Sequence, residues 1–102
     1  MKRIFTGLLL SAVMALTWAA STQELFVQAQ SDSKSLPERP DNMTLLKIYA
    51  LFKQGSVGNV DGPRPSSANM VERAKWDAWA ALKGKSNEAA MREYVDLIES
   101  LK

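Results

Sequence analysis

The chain has 102 residues, room for one domain, and no cysteine, which excludes disulfides, zinc–thiolate sites and a thiol nucleophile. It also lacks histidine, so the usual general base and the commonest metal ligand are missing, and the balance moves from catalysis toward binding. The formal charge of +2 is that of Lys2 and Arg3; beyond them basic and acidic residues are equal in number, and bulk charge gives no support for nucleic-acid binding.

The first twenty residues, MKRIFTGLLLSAVMALTWAA, differ in composition from the rest. A basic start, an uncharged and largely apolar run from Ile4 to Ala20, and small residues at Ala19, Ala20 and Ser21 follow the order of a secretory signal. The same run is just long enough for an uncleaved membrane anchor, and Met14 offers a later start that would remove most of it. Residues 1–20 are therefore expected as a signal-like or anchor leader, and residues 21–102 as the folded domain.

From Ser21 onward the pattern predicts four helices and no strand. Ser21-Thr22-Gln23-Glu24 fits a capping box, with Leu25, Phe26 and Ala29 on the apolar side of a first helix that fades near Lys34. Pro37 and Pro40 break the chain. Asp41 or Asn42 caps a second helix carrying Leu45, Ile48, Tyr49 and Phe52, with Gly55 and Gly58 expected to end it. After a loop rich in Gly and Pro, a third helix is expected from about Asn69 to Lys83, stopping at Gly84. Ser86 caps a fourth, in which Met91, Tyr94, Val95, Ile98 and Leu101 keep a spacing of three and four. So small a domain is marginal and needs its apolar side chains for packing, which makes Trp79, Leu82, Ile98 and Leu101 the expected core.

The third helix poses a question. At about 100° per residue, Lys75, Trp76 and Trp79 fall within one arc of ~100°, about the width of a buried helix face. A cation thus shares a largely aromatic face, and either it snorkels outward or an anion comes to it.

Two stretches carry a resemblance. KIYALFKQGSVGNVDGPRP (47–65) is similar to the Tyr–x–x–Tyr/Phe–Lys–Gln–x–x–x–Gly segment of acyl-CoA-binding proteins, and AKWDAWAALKGKSNEAAMREYV (74–95) to their Lys–Trp–Asp–Ala–Trp–x–x–x–Lys–Gly–x–Ser stretch and the following Tyr. The similarity runs without a gap from about Ser21 to Lys102, and includes Phe26, Lys34, Leu36 and Pro40. It implies an all-α, four-helix up-down-down-up bundle that binds medium- to long-chain fatty acyl-CoA without chemistry, cofactor or metal. It further implies a monomeric intracellular carrier, with acyl-CoA-using enzymes or membranes as further partners and no nucleic acid.

By the same resemblance, Lys53 and Lys75 match the phosphate-contacting lysines and Lys34 a further basic contact. Lysine suits this role as a compact point charge. Tyr49 and Phe52 lie with Lys53 in an arc of ~100° on the second helix, an aromatic-plus-cation face that suits a stacked adenine. Tyr94 matches the family's fourth-helix tyrosine and would bring a hydroxyl near the nucleotide. Leu46 and Trp76 are the expected walls of the acyl groove, with Met43 and Leu45 next in line.

Three features depart from the family pattern. Phe52 replaces a common tyrosine. Val71 stands where lysine is usual, and Glu72 adds a negative charge toward the nucleotide end, with Arg73 positioned to offset it in part. The leader conflicts with an intracellular ligand, because Lys2 and Arg3 held on the cytoplasmic side would send the domain across the membrane. A start at Met14 or an inactive leader would leave the protein cytoplasmic; an exported lipid- or protein-interaction module with weakened CoA binding is the alternative.

Overall fold

A computed structural model describes residues 19–102. The expected leader falls almost wholly outside the described residues. Within them the chain forms four α-helices: α1 (Thr22–Asp32), α2 (Asn42–Ser56), α3 (Met70–Ala80) and α4 (Asn87–Ser100), with a 3₁₀ turn at Ser33–Ser35. No helix among the described residues is long and apolar enough to cross a membrane.

Side-chain caps start three of the helices. The Ser21 hydroxyl accepts the Glu24 amide at 3.1 Å while the Glu24 carboxylate accepts the Ser21 amide at 3.1 Å, the reciprocal box expected from the sequence. Asp41 accepts the Thr44 amide at 2.8 Å, and Ser86 accepts that of Ala89 at 3.1 Å. Asn69, before α3, makes no such bond.

Two helix ends differ from expectation. Gly55 does not terminate α2; it is buried inside it. A Cβ there would lie 3.1 Å from Phe26 Cζ and 3.2 Å from Met91 Cγ, so this glycine admits side chains of α1 and α4 close to the α2 backbone. The stop comes at Val57 and Gly58, whose φ of 89° suits glycine. The third helix ends at Ala80, three residues early. Its amides then switch to tighter pairings, Leu82 to Trp79 at 2.9 Å and Lys83 to Ala80 at 3.2 Å, and Gly84 reverses the chain at φ 92°.

That early turn is held by tertiary bonds. Gln54, fully buried, donates through Nε2 to Asn59 Oδ1 at 2.9 Å and to the Lys85 carbonyl at 2.8 Å. Asn59 Oδ1 also accepts the Gly84 amide at 2.9 Å, and Asn87 Nδ2 donates to the carbonyls of Gly55 and Gln54. One polar joint thus fastens the end of α2 to the α3–α4 turn.

α2 packs against both α4 and α3, and α1 packs against α4. The main core joins α1, α2 and α4 through Phe26, Ala29, Leu51, Ala90, Tyr94 and Ile98. Three aromatics form its centre: the rings of Phe26 and Tyr94 meet edge-on at 5.2 Å, and Phe52 lies 6.2 Å from Phe26 and 6.4 Å from Tyr94. Trp79 is buried as expected and donates its indole N–H to the Gly58 carbonyl at 2.8 Å. Leu82 and Leu101, expected in the core, are only partly buried.

Candidate ligand-binding groove

α2 turns two faces to different work. At about 100° per residue Leu51, Gly55, Ile48 and Phe52 point toward α1 and α4, while Asn42, Leu45, Leu46 and Tyr49 share an arc of ~100° on another side. That second set and Met70, Val71, Ala74 and Lys75 of α3 line a cavity of about 520 Å³, with Arg39 joining from the loop before α2. The lining is mainly apolar, and its cations are Arg39 and Lys75.

Two cation–aromatic contacts cross the seam between these helices. Lys75 Nζ of α3 lies 4.7 Å from the centre of the Tyr49 ring of α2. Lys53 Nζ of α2 lies 4.9 Å from the Trp79 ring of α3. Each helix contributes one aromatic and one lysine, four residues apart, so the contacts form two reciprocal rungs about 6 Å apart along parallel helices. Such contacts stabilise by roughly 0.5–1 kcal/mol at exposed sites. They also keep two ammonium groups beside flat aromatic surface, the pairing a nucleotide phosphate with its base requires.

Glu72 sits 3.5 Å from Lys75 Nζ and competes for that cation. Val71 is 70% exposed and forms part of the groove wall. Arg73 does not line the groove; its guanidinium donates to the Pro65 carbonyl at 3.3 Å, so it makes no direct replacement there. Asp77, within the shared Lys–Trp–Asp–Ala–Trp motif, accepts two bonds of 2.7 Å from Arg64 and thereby ties the long loop to α3. This pairing, chiefly the hydrogen bond from Arg64, holds the Asp77 carboxyl below its ordinary value.

The expected site residues are spread over several settings. Tyr49, Leu46 and Lys75 line the groove together, and Lys53 lies one turn beyond Tyr49. Phe52 and Tyr94 belong to the aromatic centre of the core, Tyr94 only 3% exposed, and neither lines the groove. Lys34 is exposed in the 3₁₀ turn after α1. Trp76, expected as a groove wall, is part-buried and is not among the residues lining this groove or the second apolar cavity beside it; its buried indole N–H has no partner among the described residues. Leu45 does line the groove. Arg39, Asn42, Met70 and Ala74 were not singled out from the sequence. Arg39 reads there as a loop residue between two prolines, and only the fold brings it over the cavity.

The sequence profile of the family described as "Acyl CoA binding protein" matches residues 23–98. The chain belongs to the acyl-CoA-binding protein family. It is 46% identical over 78 residues to an acyl-CoA-binding protein homolog of Drosophila melanogaster, covering 76% of this chain and 91% of the relative. It is 44% identical over 78 residues to an acyl-CoA-binding protein of Saccharomyces cerevisiae, covering 76% and 90%. The fold is similar to the crystal structure of Oryza sativa Acyl-CoA-Binding Protein 2, with a TM-score of 0.76, 41% identity and coverage of 78% and 87%. Against the solution structure of the yeast acyl coenzyme A binding protein the TM-score is 0.63, at 44% identity over 76% and 91%. Family membership agrees with the all-α bundle expected from the resemblance.

Proposed function

We infer that this protein binds fatty acyl-CoA esters non-covalently and serves as their carrier. The pair of crossed lysine–aromatic rungs at one end of an apolar groove is the observation that carries this reading. An acyl-CoA is anionic and aromatic at one end and hydrocarbon at the other, and the seam between α2 and α3 has matching ends. Lys53 and Lys75 supply charge for its phosphates, with Lys34 as an outlying contact. Tyr49 supplies the stacking face, and Phe52, partly buried, packs behind it with the buried Tyr94 in the aromatic centre of the core. Leu45, Leu46, Val71 and Ala74 face the chain. Trp76, part-buried one turn from Trp79 on the same helix, is the further wall expected beside Leu46.

The reading is a non-enzymatic one: apolar and cationic groups around a groove bind and shield a thioester without a nucleophile and base to attack it. Exchange with acyl-CoA-using enzymes or membranes suits such a carrier, acting as a monomer. The exported module with weakened CoA binding is not favoured, since both lysines stand on their aromatic partners despite Val71 and Glu72. A cytoplasmic carrier follows from a start at Met14 or an inactive leader.

Calorimetric titration of the full chain with palmitoyl-CoA tests the reading. Binding at micromolar Kd or tighter is expected, weakened at least ten-fold in Lys53→Ala and in Lys75→Ala, and weakened by added salt. Absence of binding by the unaltered chain would overturn it.

A further inference from the structure

A second cavity of about 430 Å³ lies beside the first, and Leu46 lines both. Its other walls are Met43, Ala50, Ala78 and Leu82, with Thr44 and Lys47 at its edge. The chemistry of the two differs. The first groove has Tyr49, Lys75, Asn42 and Arg39 along it. The second has one charged side chain, the exposed Lys47, and is otherwise almost wholly hydrocarbon. It therefore offers nothing to hold a headgroup and suits an alkyl chain.

The first groove is too short for a long acyl chain. From Tyr49 back to Asn42 the helix advances about 10 Å. An extended alkyl chain, with bonds near 1.5 Å, gains somewhat over an ångström per carbon, so this stretch covers on the order of eight carbons. A longer chain either runs the full stretch and leaves past Met70 and Val71, both more than two-thirds exposed, or turns part-way, at Leu46, into the neighbouring cavity. Leaving places methylenes in water; turning lays them against Ala50, Ala78 and Leu82, with the 76% exposed Met43 at the rim, and each one fully covered gains about four-fold in affinity.

We propose that the second cavity receives the distal part of long and very long acyl chains, with Leu46 as the partition the chain crosses. This rests on the acyl-CoA reading above. It makes the α2–α3 seam a two-chamber site in which the first chamber takes any acyl-CoA and the second sets the preference for length.

The test fills the second chamber from either wall. Dissociation constants of the full chain are measured for decanoyl-, myristoyl-, stearoyl- and behenoyl-CoA below their micelle-forming concentrations, with the same set for Ala78→Phe and Thr44→Phe. Both variants should keep decanoyl-CoA binding within about two-fold while losing at least ten-fold of the gain between myristoyl- and behenoyl-CoA. Two variants on different helices guard against misfolding of one, and circular dichroism checks each. In parallel, an acyl-CoA with a nitroxide at the terminal carbon of a stearoyl chain should broaden the resonances of Thr44 and Ala78 more than those of Met70 and Val71. Equal weakening at every chain length, an unchanged length dependence, or broadening confined to Met70 and Val71 would overturn the proposal. A shift to dimer that follows filling or emptying of this cavity would also overturn it, assigning the face to a second copy. If the unaltered chain binds none of the four acyl-CoA esters, the carrier reading itself falls.

Discussion

At the residue scale, Lys75 is governed by what surrounds it. It lies over Tyr49 and also 3.5 Å from Glu72, and an exposed pair of that kind is weak and screened by salt. A bound phosphate and the Glu72 carboxylate would compete for the same ammonium. Glu72→Gln is therefore expected to tighten acyl-CoA binding several-fold at low salt and by less at high salt, which calorimetry at two ionic strengths will show. The opposite expectation holds for Tyr49→Ala. Loss of a stacking face costs about 1–3 kcal/mol in single-strand nucleotide binders, and a similar loss in binding should appear here with little change in helix content. Gln54 belongs to the fold despite its place next to Lys53 in the family motif. Its side chain is fully buried and donates to two acceptors, so Gln54→Ala would remove the Lys85 carbonyl's donor, leave Asn59 Oδ1 with the Gly84 amide alone and destabilise by about 1–3 kcal/mol, measurable by urea unfolding.

Among the elements, α3 is the least embedded. It packs on α2, whereas the main core joins α1, α2 and α4. Its attachments are the Trp79–Gly58 hydrogen bond, the two cation–aromatic rungs and the Arg64–Asp77 pair. A ligand in the groove would add contacts to both α2 and α3. Hydrogen exchange is accordingly expected to be faster in α3 than in α4 without ligand, and to slow in α3 more than elsewhere when palmitoyl-CoA is added. Truncation in the main core has a different signature. Ile98→Ala, at a position with 0% exposure, should cost about 2–5 kcal/mol in stability and leave the groove contacts of the folded fraction intact.

For the molecule as a whole, stability against pH follows from four carboxyls held below their ordinary values. The causes are the Ser21 backbone for Glu24, Lys102 for Asp32, the Thr44 backbone for Asp41 and Arg64 for Asp77. A carboxyl with a depressed folded value stabilises above its unfolded value and loses that contribution as pH falls through the folded one. Stability should thus be level through the neutral range, where no histidine titrates, and decline below about pH 4; Asp77→Asn should make that decline shallower in urea titrations. Much of the bundle could be read in one dimension. Ser21, Asp41 and Ser86 act as caps because hydrogen bonding to the next turn is local, and the apolar spacing in α4 marks its buried side because the helical period is local too. The family motifs likewise single out Lys53, Lys75 and Tyr49 as expected contacts, and α2 and α3 bring these three side chains to one seam. What needed three dimensions was whatever depends on the partner across a seam. Gly55 reads as a helix stop until Phe26 and Met91 close on it. Arg39 reaches the cavity through the path of a loop. The crossed rungs, and a second apolar chamber meeting the first at Leu46, exist because α2 and α3 run side by side in one register, a relation between distant segments that local spacing does not encode.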